Sequence, residues 1–379
     1  MSGGLMSKSN LKAVTIANSK FGGIGHSMHR SFELNEEVEM VALADPYEEG
    51  RIKYAKECGA KTHYADYREM LEKEKPDIAV IARHWFDDSR IEEISTSIDL
   101  GVKGLFVEKT LAAWPYQARA IQKEALMKNI PILMAHRSRE HPIMQEIRYR
   151  SLQGEWGPLT RIRSMDKGDH RCGVYEAMLH TPHIFDAMLY LAGEKPASCW
   201  GSVTHEGVPV KRKDTINSYY DGAGPMIGDK IAAQFHFPSG VVGTFESMPV
   251  GNGSYGSDRL GVDFYFQDAV ITARNQPKGQ FHIFPRGDVF PTETNVNWEV
   301  MTTNKWNPVE INETLWSNHI ICKDLVRIMK GSNPTNESST IDIAVTGIEM
   351  LTAIYWSHLE GKRINLPLSN LENPWVAAP

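Results

Sequence analysis

The chain has 379 residues, a net charge of −6 and a pI near 6.2, with 41% hydrophobic and 23% charged side chains. That length exceeds one ordinary core, so two domains are expected, and the acidic balance argues against a nucleic-acid or anionic-membrane partner. Cys58, Cys172, Cys199 and Cys322 are scattered with no C-x-x-C pair, which suggests neither a zinc nor a disulfide framework and fits a reducing cytoplasm. No apolar run reaches membrane-spanning length, and residues 1–6 lack the charged-then-apolar pattern of a signal peptide.

Residues 13–17 are a short apolar run and read as a buried strand. The run leads into Gly22, Gly23, Ile24 and Gly25, then a helical stretch from His26. Strand, glycine loop and helix form the context of a dinucleotide site. Gly22 or Gly23 lets the backbone approach a pyrophosphate, and Gly25 lets a helix pack closely with its N-terminus toward the phosphates. Lys20 stands where the G-x-G-x-x-G frame has its first glycine, and residues 18–20 read as additional loop. A second strand, 41–45, ends in Asp45, 20 residues beyond Gly25 (45 − 25). A carboxylate there can accept from both adenosine ribose hydroxyls and repels a 2′-phosphate, which favours NAD over NADP.

Residues 64–74, 90–100 and 114–128 read as helices, and 78–82, 104–107 and 130–134 as strands. Strict alternation predicts a parallel, doubly wound sheet. Arg83, His84 and Trp85 follow one strand at the crevice edge, as cofactor neighbours. Glu108 and Lys109 follow another and should project into the crevice at the carboxyl ends of the strands.

Residues 148–153 finish a helix, and 159–165 alternate like a strand. The loop that follows, with Asp169, His170 and Arg171, is dense in donors and acceptors and suits a polar ligand. Thr181 can cap a helix and Pro182 can open it, which places His183 in the first turn, neutral beside the positive end of the macrodipole. Asp186, one turn on, orients His183 or caps the helix. Glu176, His180 and His183 have the spacing of one helical face, but Pro182 pushes the residue before it out of the helix, so no metal is expected. Residues 229–237 with 241–248, and 260–266 with 269–273, read as hairpins. Residues 315–330 and 341–360 read as closing helices. A broad sheet covered by helices on one face leaves the other for a homodimer or homotetramer.

Gly22-Gly23-Ile24-Gly25, Asp45, Glu108-Lys109, Gly154-Glu155-Trp156-Gly157-Pro158 and His183-Ile184-Phe185-Asp186 together resemble the Gfo/Idh/MocA family (glucose–fructose oxidoreductase / inositol dehydrogenase) over essentially the whole chain. The resemblance implies an N-terminal NAD-binding Rossmann domain, 1–136, and a C-terminal α+β substrate and oligomerisation domain, 137–379, with a large, mostly antiparallel open-faced sheet. It implies a nicotinamide cofactor and a sugar, glycoside or polyol substrate. Lys109 matches the family lysine near the nicotinamide and the reacting hydroxyl, His183 the histidine on the substrate side, and Arg139 an arginine near the crevice. Thr110 stands in place of the family's proline after Glu-Lys, and Leu179 in place of an aspartate four residues before the histidine. The expected activity is oxidation of a secondary alcohol, with imidazole the better matched base, Lys109 polarising the alkoxide, and Glu108 positioning Lys109 or the nicotinamide amide. Two alternatives stand beside it. One is a redox-neutral glycoside hydrolase that acts through transient 3-keto oxidation and elimination. The other is a non-catalytic cofactor-binding regulator, to which Lys20, Thr110 and Leu179 point.

Overall fold

Short apolar runs bounded by glycine, proline and acidic residues build the first sheet, in a computed structural model that describes residues 11–20, 23–85, 87–167, 173–218, 223–249, 260–274, 280–289, 296–305 and 312–376. Gly22, Asp169, His170 and Arg171 lie outside the described residues. The strands are β1 (Leu11–Ile16), β2 (Val38–Ala44), β3 (Thr62–Tyr64), β4 (Ile78–Ile81), β5 (Gly104–Val107) and β6 (Ile132–Met134). Between them run α1 (Glu48–Cys58), α2 (Tyr67–Glu74), α3 (Asp88–Asp99) and α4 (Pro115–Met127). The six strands are parallel, in the order β6-β5-β4-β1-β2-β3. All four residues of β4 and of β5 are buried, as expected of strands covered on both faces. Tyr64, expected to open a helix, instead ends β3. The helix starts later because the Asp66 side chain accepts from Arg68 N–H and caps it.

After α5 (Pro142–Leu152), β7 (Leu159–Met165) and α6 (Val174–Ala192), the chain becomes β-rich. A ten-stranded sheet forms from β7, β8 (Ser198–His205), β9 (Val208–Pro209), β12 (Lys230–His236), β13 (Val242–Ser247), β14 (Gly261–Phe266), β15 (Val270–Arg274), β16 (Gln280–Phe284), β17 (Glu299–Val300) and β19 (Ile364–Asn365). The small strands β10 (Ile216–Ser218) and β11 (Gly224–Met226) pair only with each other. Within the large sheet β13 and β7 pair in parallel, and the other pairings are antiparallel. One face packs on α6, where Phe185 meets Phe235 and Phe245 edge-on at 5.4 and 5.2 Å. Each such fully buried phenylalanine contributes about 1.5–3 kcal/mol, so this face is the core. The other face leaves Trp200 46% exposed.

The last third returns to the first sheet. Helix α7 (Glu313–Met329) buries Ile321, Cys322, Leu325 and Val326 against Phe106 and Leu133. Strand β18 (Ser339–Thr340) pairs antiparallel with β6 as a seventh strand. Helix α8 (Ile341–Glu360) then serves both cores. Ile341, Ala344, Val345 and Ile348 pack on the first sheet, and Met350, Leu351, Ile354, Tyr355 and Trp356 on the second. The first sheet is thus completed by residues from beyond 136. No helix among the described residues is long and apolar enough to cross a membrane.

Candidate functional site

The carboxyl ends of β1, β4 and β5 meet beside the start of α6. The glycine loop is stitched to the segment after β4, where Gly25 N–H donates to the Ala82 carbonyl at 2.9 Å and Ile24 bridges Arg83. A Cβ on Gly25 would lie 2.5 Å from the Glu108 carboxylate, so the glycine makes room for that side chain. The helix expected from His26 is not there. Gly25–Arg30 is a 3-10 turn in which His26 and Ser27 take φ of 45° and 53°. Histidine tolerates this left-handed region better than most residues, and two tertiary bonds hold it. His26 Nδ1 lies 2.7 and 2.9 Å from the Glu108 carboxylate oxygens, and Asn318 of α7 donates to the His26 carbonyl at 2.9 Å. Glu108 is thus committed to His26, not to orienting Lys109. Burial pushes its carboxyl up, but His26 and Lys109 outweigh that and hold it at about 2.

Lys109 and His183 are both buried, close enough for the lysine's charge to act on the imidazole. Burial, Arg137 and Lys109 together hold His183 well below the ordinary imidazole value, so the ring is neutral. The expected reason was a helix N-terminus, and that is corrected. Helix α6 runs from Val174 to Ala192 with Pro182 inside it, and His183 sits mid-helix. Pro182 has no N–H to give to the Met178 carbonyl four residues back. Thr110 Oγ1 donates there instead, at 2.6 Å. The threonine after Glu108-Lys109 is therefore the group that lets a proline sit inside α6.

The tautomer of His183 follows from one bond. Arg137 N–H donates to its Nδ1 at 3.3 Å, so the neutral ring carries its proton on Nε2. His183 offers a donor to the crevice, and the expectation of it as proton acceptor is corrected. Its ring lies 5.8 Å from that of His26 and 6.3 Å from that of His136, both edge-on. His84 completes the cluster, and burial and Lys109 bring it down to about 4.

Arg139 and Asp186, expected at the substrate, are spent on each other. Arg139 Nη2 is 2.7 Å from Asp186 Oδ1, both side chains are buried, and the guanidinium stacks 5.1 Å from the Tyr190 ring. Burial raises Asp186, but Arg139 and His136 outweigh it and hold the carboxyl at about 2. His136 itself accepts or donates at Ser339 Oγ, 2.9 Å away, which ties β18 to this pair. Arg90, which sequence reading passed over, is fully buried and ties the site together. Its guanidinium donates to the carbonyls of Arg83, Glu108 and Thr110, holding the ends of β4 and β5 in register. The signal for Arg90 was position alone, a charged residue in the first turn of a helix.

Toward the adenosine end, Asp45 accepts from Ser19 N–H and Tyr47 N–H, each at 2.9 Å, and is fully buried. In this structure it anchors the 18–20 loop and is not open to a ribose, contrary to expectation. Beside it lies a cavity of about 270 Å³ lined by Ala17, Asn18, Pro46, Tyr67 and Arg83. Arg83 is held there by Asp87 at 2.8 Å and Glu93 at 3.4 Å. Gly23 has φ +72° and, among the described residues, no atom within 4 Å of where a Cβ would stand, so its backbone is approachable. Cavity and open glycine fit a dinucleotide; the Asp45 contact fits only as a nearby negative charge.

The argument against a metal on α6 loses its premise, since the helix continues through Pro182. Asp166, at the end of β7, joins Glu176 and His180, with ligand atoms all within 4.8 Å of one another. His180 Nδ1 lies 2.5 Å from Glu176 Oε1. The group is a buried acid–imidazole cluster, with Ser247 Oγ donating to Asp166 at 3.0 Å.

No protein-family model matches the sequence, and no curated protein does. Solved structures do. An NAD-binding oxidoreductase from Klebsiella pneumoniae is 15% identical, with a TM-score of 0.72 over 94% of this chain and 99% of that one. A levoglucosan dehydrogenase in complex with NADH and levoglucosan is 15% identical, with a TM-score of 0.71 over 94% of this chain and 100% of that one. The chain has the Gfo/Idh/MocA fold. A super-repressor mutant of Gal80p from Saccharomyces cerevisiae has the same fold, at 14% identity and a TM-score of 0.71, over 98% of this chain and 100% of that one. In this chain Lys109 after β5 and His183 on α6 have His26, His84 and His136 around them.

Proposed function

We propose that this chain is an NAD-dependent oxidoreductase that oxidises or reduces a secondary alcohol of a sugar, glycoside or polyol. The observation that carries the reading is a buried Lys109 at the carboxyl end of β5, where α/β proteins bind ligands, whose charge acts on a buried, neutral His183. Solved relatives of the fold include an aldose-aldose oxidoreductase and a UDP-N-acetylglucosamine 3-dehydrogenase, which supports the substrate class. The Gly23 backbone and the cavity at Ala17, Pro46 and Arg83 would hold the dinucleotide, and NAD, when bound, supplies the hydride acceptor. Asp45, buried beside that cavity, disfavours a 2′-phosphate by charge. Lys109 stabilises negative charge on the reacting oxygen, and His183 donates to the same oxygen or its neighbour. Arg90 holds the Glu108–Thr110 turn so that Lys109 keeps its aim.

The test is a screen of aldoses, polyols and nitrophenyl glycosides with NAD, followed by absorbance of the reduced nicotinamide. Lys109→Met should keep NAD affinity and lose turnover by about 10²–10³-fold. Near-normal turnover in that variant would remove Lys109 from the mechanism. Nitrophenol release without net reduction of NAD would show the redox-neutral glycosidase outcome at the same site.

A further inference from the structure

We infer that the His26–Glu108 pair is the proton acceptor of this site, an imidazole from the glycine loop taking the role that His183 is set up not to take. The inference rests on the oxidoreductase reading for the identity of the reaction, but the geometry is independent of it. Two bonds set the two rings in opposite tautomers. The Glu108 carboxylate lies 2.7 and 2.9 Å from His26 Nδ1, so that nitrogen carries the proton and Nε2 keeps its lone pair. The backbone N–H of Arg137 occupies His183 Nδ1, so there the proton is on Nε2. One ring is therefore an acceptor and the other a donor, 5.8 Å apart. At that distance the rings are in edge-on contact, so the acceptor and the donor serve one place.

The surroundings agree with the assignment. The His26 side chain keeps 20% of its surface exposed, and among the described residues no group hydrogen-bonds its Nε2. Its left-handed backbone, with φ 45° and ψ 36°, turns the ring from the loop toward Glu108. Gly25 leaves the room for that carboxylate that any side chain would take. The groups that face His26 are Glu108 and Lys109 after β5, Arg137 before α5, His183 on α6 and His84 after β4. Burial, against the pull of Glu108, brings the imidazole down to about 4, so it is neutral and accepting across the neutral range. The carboxylate–imidazole pair also replaces what Leu179 withholds, since no acid on α6 stands one turn before His183.

The alcohol O–H breaks and its proton passes to His26 Nε2. A bound nicotinamide would accept the hydride from the C–H bond as the C=O bond forms. The imidazolium produced is held beside the Glu108 carboxylate until its exposed edge releases the proton to water.

Two measurements test this. Long-range 1H–15N correlation on full-length protein labelled with 15N-histidine, without cofactor, reads the tautomers directly, and His26→Gln and His183→Gln assign the rings. His26 protonated at Nδ1 and His183 at Nε2 are the expected result; a shared tautomer, or a proton on His26 Nε2, overturns the proposal. On the substrate found in the screen, His26→Gln should lower kcat by about 10²–10⁴-fold with NAD affinity held, and free imidazole should restore part of the rate in His26→Ala. Unchanged kcat in His26→Gln overturns the pair as base and leaves the oxidoreductase reading standing. A wild-type chain that neither binds NAD nor oxidises any substrate overturns that reading, whatever the tautomers show.

Discussion

Burial holds His26, His84, His141 and His183 neutral, and His141 shows what that costs in acid. Its Nδ1 accepts the Ile143 N–H at 3.2 Å and so caps α5, while its ring packs 4.5 Å from Phe281. Burial brings it from 6.5 down to about 4. A folded value below the unfolded one means the unfolded chain takes the proton first. The contribution is complete above 6.5 and is lost as pH falls toward 4, at about 1.4 kcal/mol per pH unit. Asparagine can cap the helix and does not titrate. Urea unfolding of wild type and His141→Asn at pH 7, 6 and 5 should therefore show wild type losing ground to the variant by about that slope; parallel curves would show that the cap does not depend on the protonation state. The Arg139–Asp186 pair has the depressed-carboxylate sign, so its contribution persists above the ordinary carboxylate range and is lost only as pH falls toward 2.

Helix α6 is the element where local rules and the fold part company. Proline inside a run of buried apolar residues reads as a helix start, and Thr181 before it reads as a cap. Neither holds, because Thr110, 68 residues away in sequence, supplies the missing donor to Met178. Thr181 turns inward and donates to the Ala177 carbonyl at 2.6 Å. Thr110→Val should cost about 1–3 kcal/mol by leaving the Met178 carbonyl buried without a donor. Pro182→Ala restores a backbone N–H to that carbonyl, so the double variant should recover most of the loss. Additive losses in thermal unfolding would show that the two residues do not share the carbonyl. The parts of the fold that could be read in advance are those set by short range. They are the glycine-bounded strands, the hairpins around Pro238-Ser239-Gly240 and Gln267-Asp268, and the amphipathic tail helices. Lys109 and His183 were also visible, through their surroundings in sequence. The roles of His26, Arg139 and Asp186 were not, because each is decided by a partner dozens of residues away that no periodicity announces.

At the scale of the whole molecule, the two sheets share α8 and the first sheet borrows α7 and β18. Calorimetry should therefore give one unfolding transition, with no separate melting of the first 136 residues. A fragment ending at 136 would uncover Phe106 and Leu133, which α7 covers in the full chain. It should be partly folded and aggregation-prone, exposing apolar surface to dyes. A soluble, cooperatively melting fragment would show that the returning helices decorate a finished domain and do not complete it.

Pairing of β18 with β6 joins Ser339 to Met134. A ribosome therefore has to add another 205 residues (339 − 134) after Met134 before that sheet edge can be closed. At about 5–20 residues per second, this is roughly 10–40 s during which the nascent first sheet waits with an open flank. The edge of that sheet is closed only late in the synthesis of the chain.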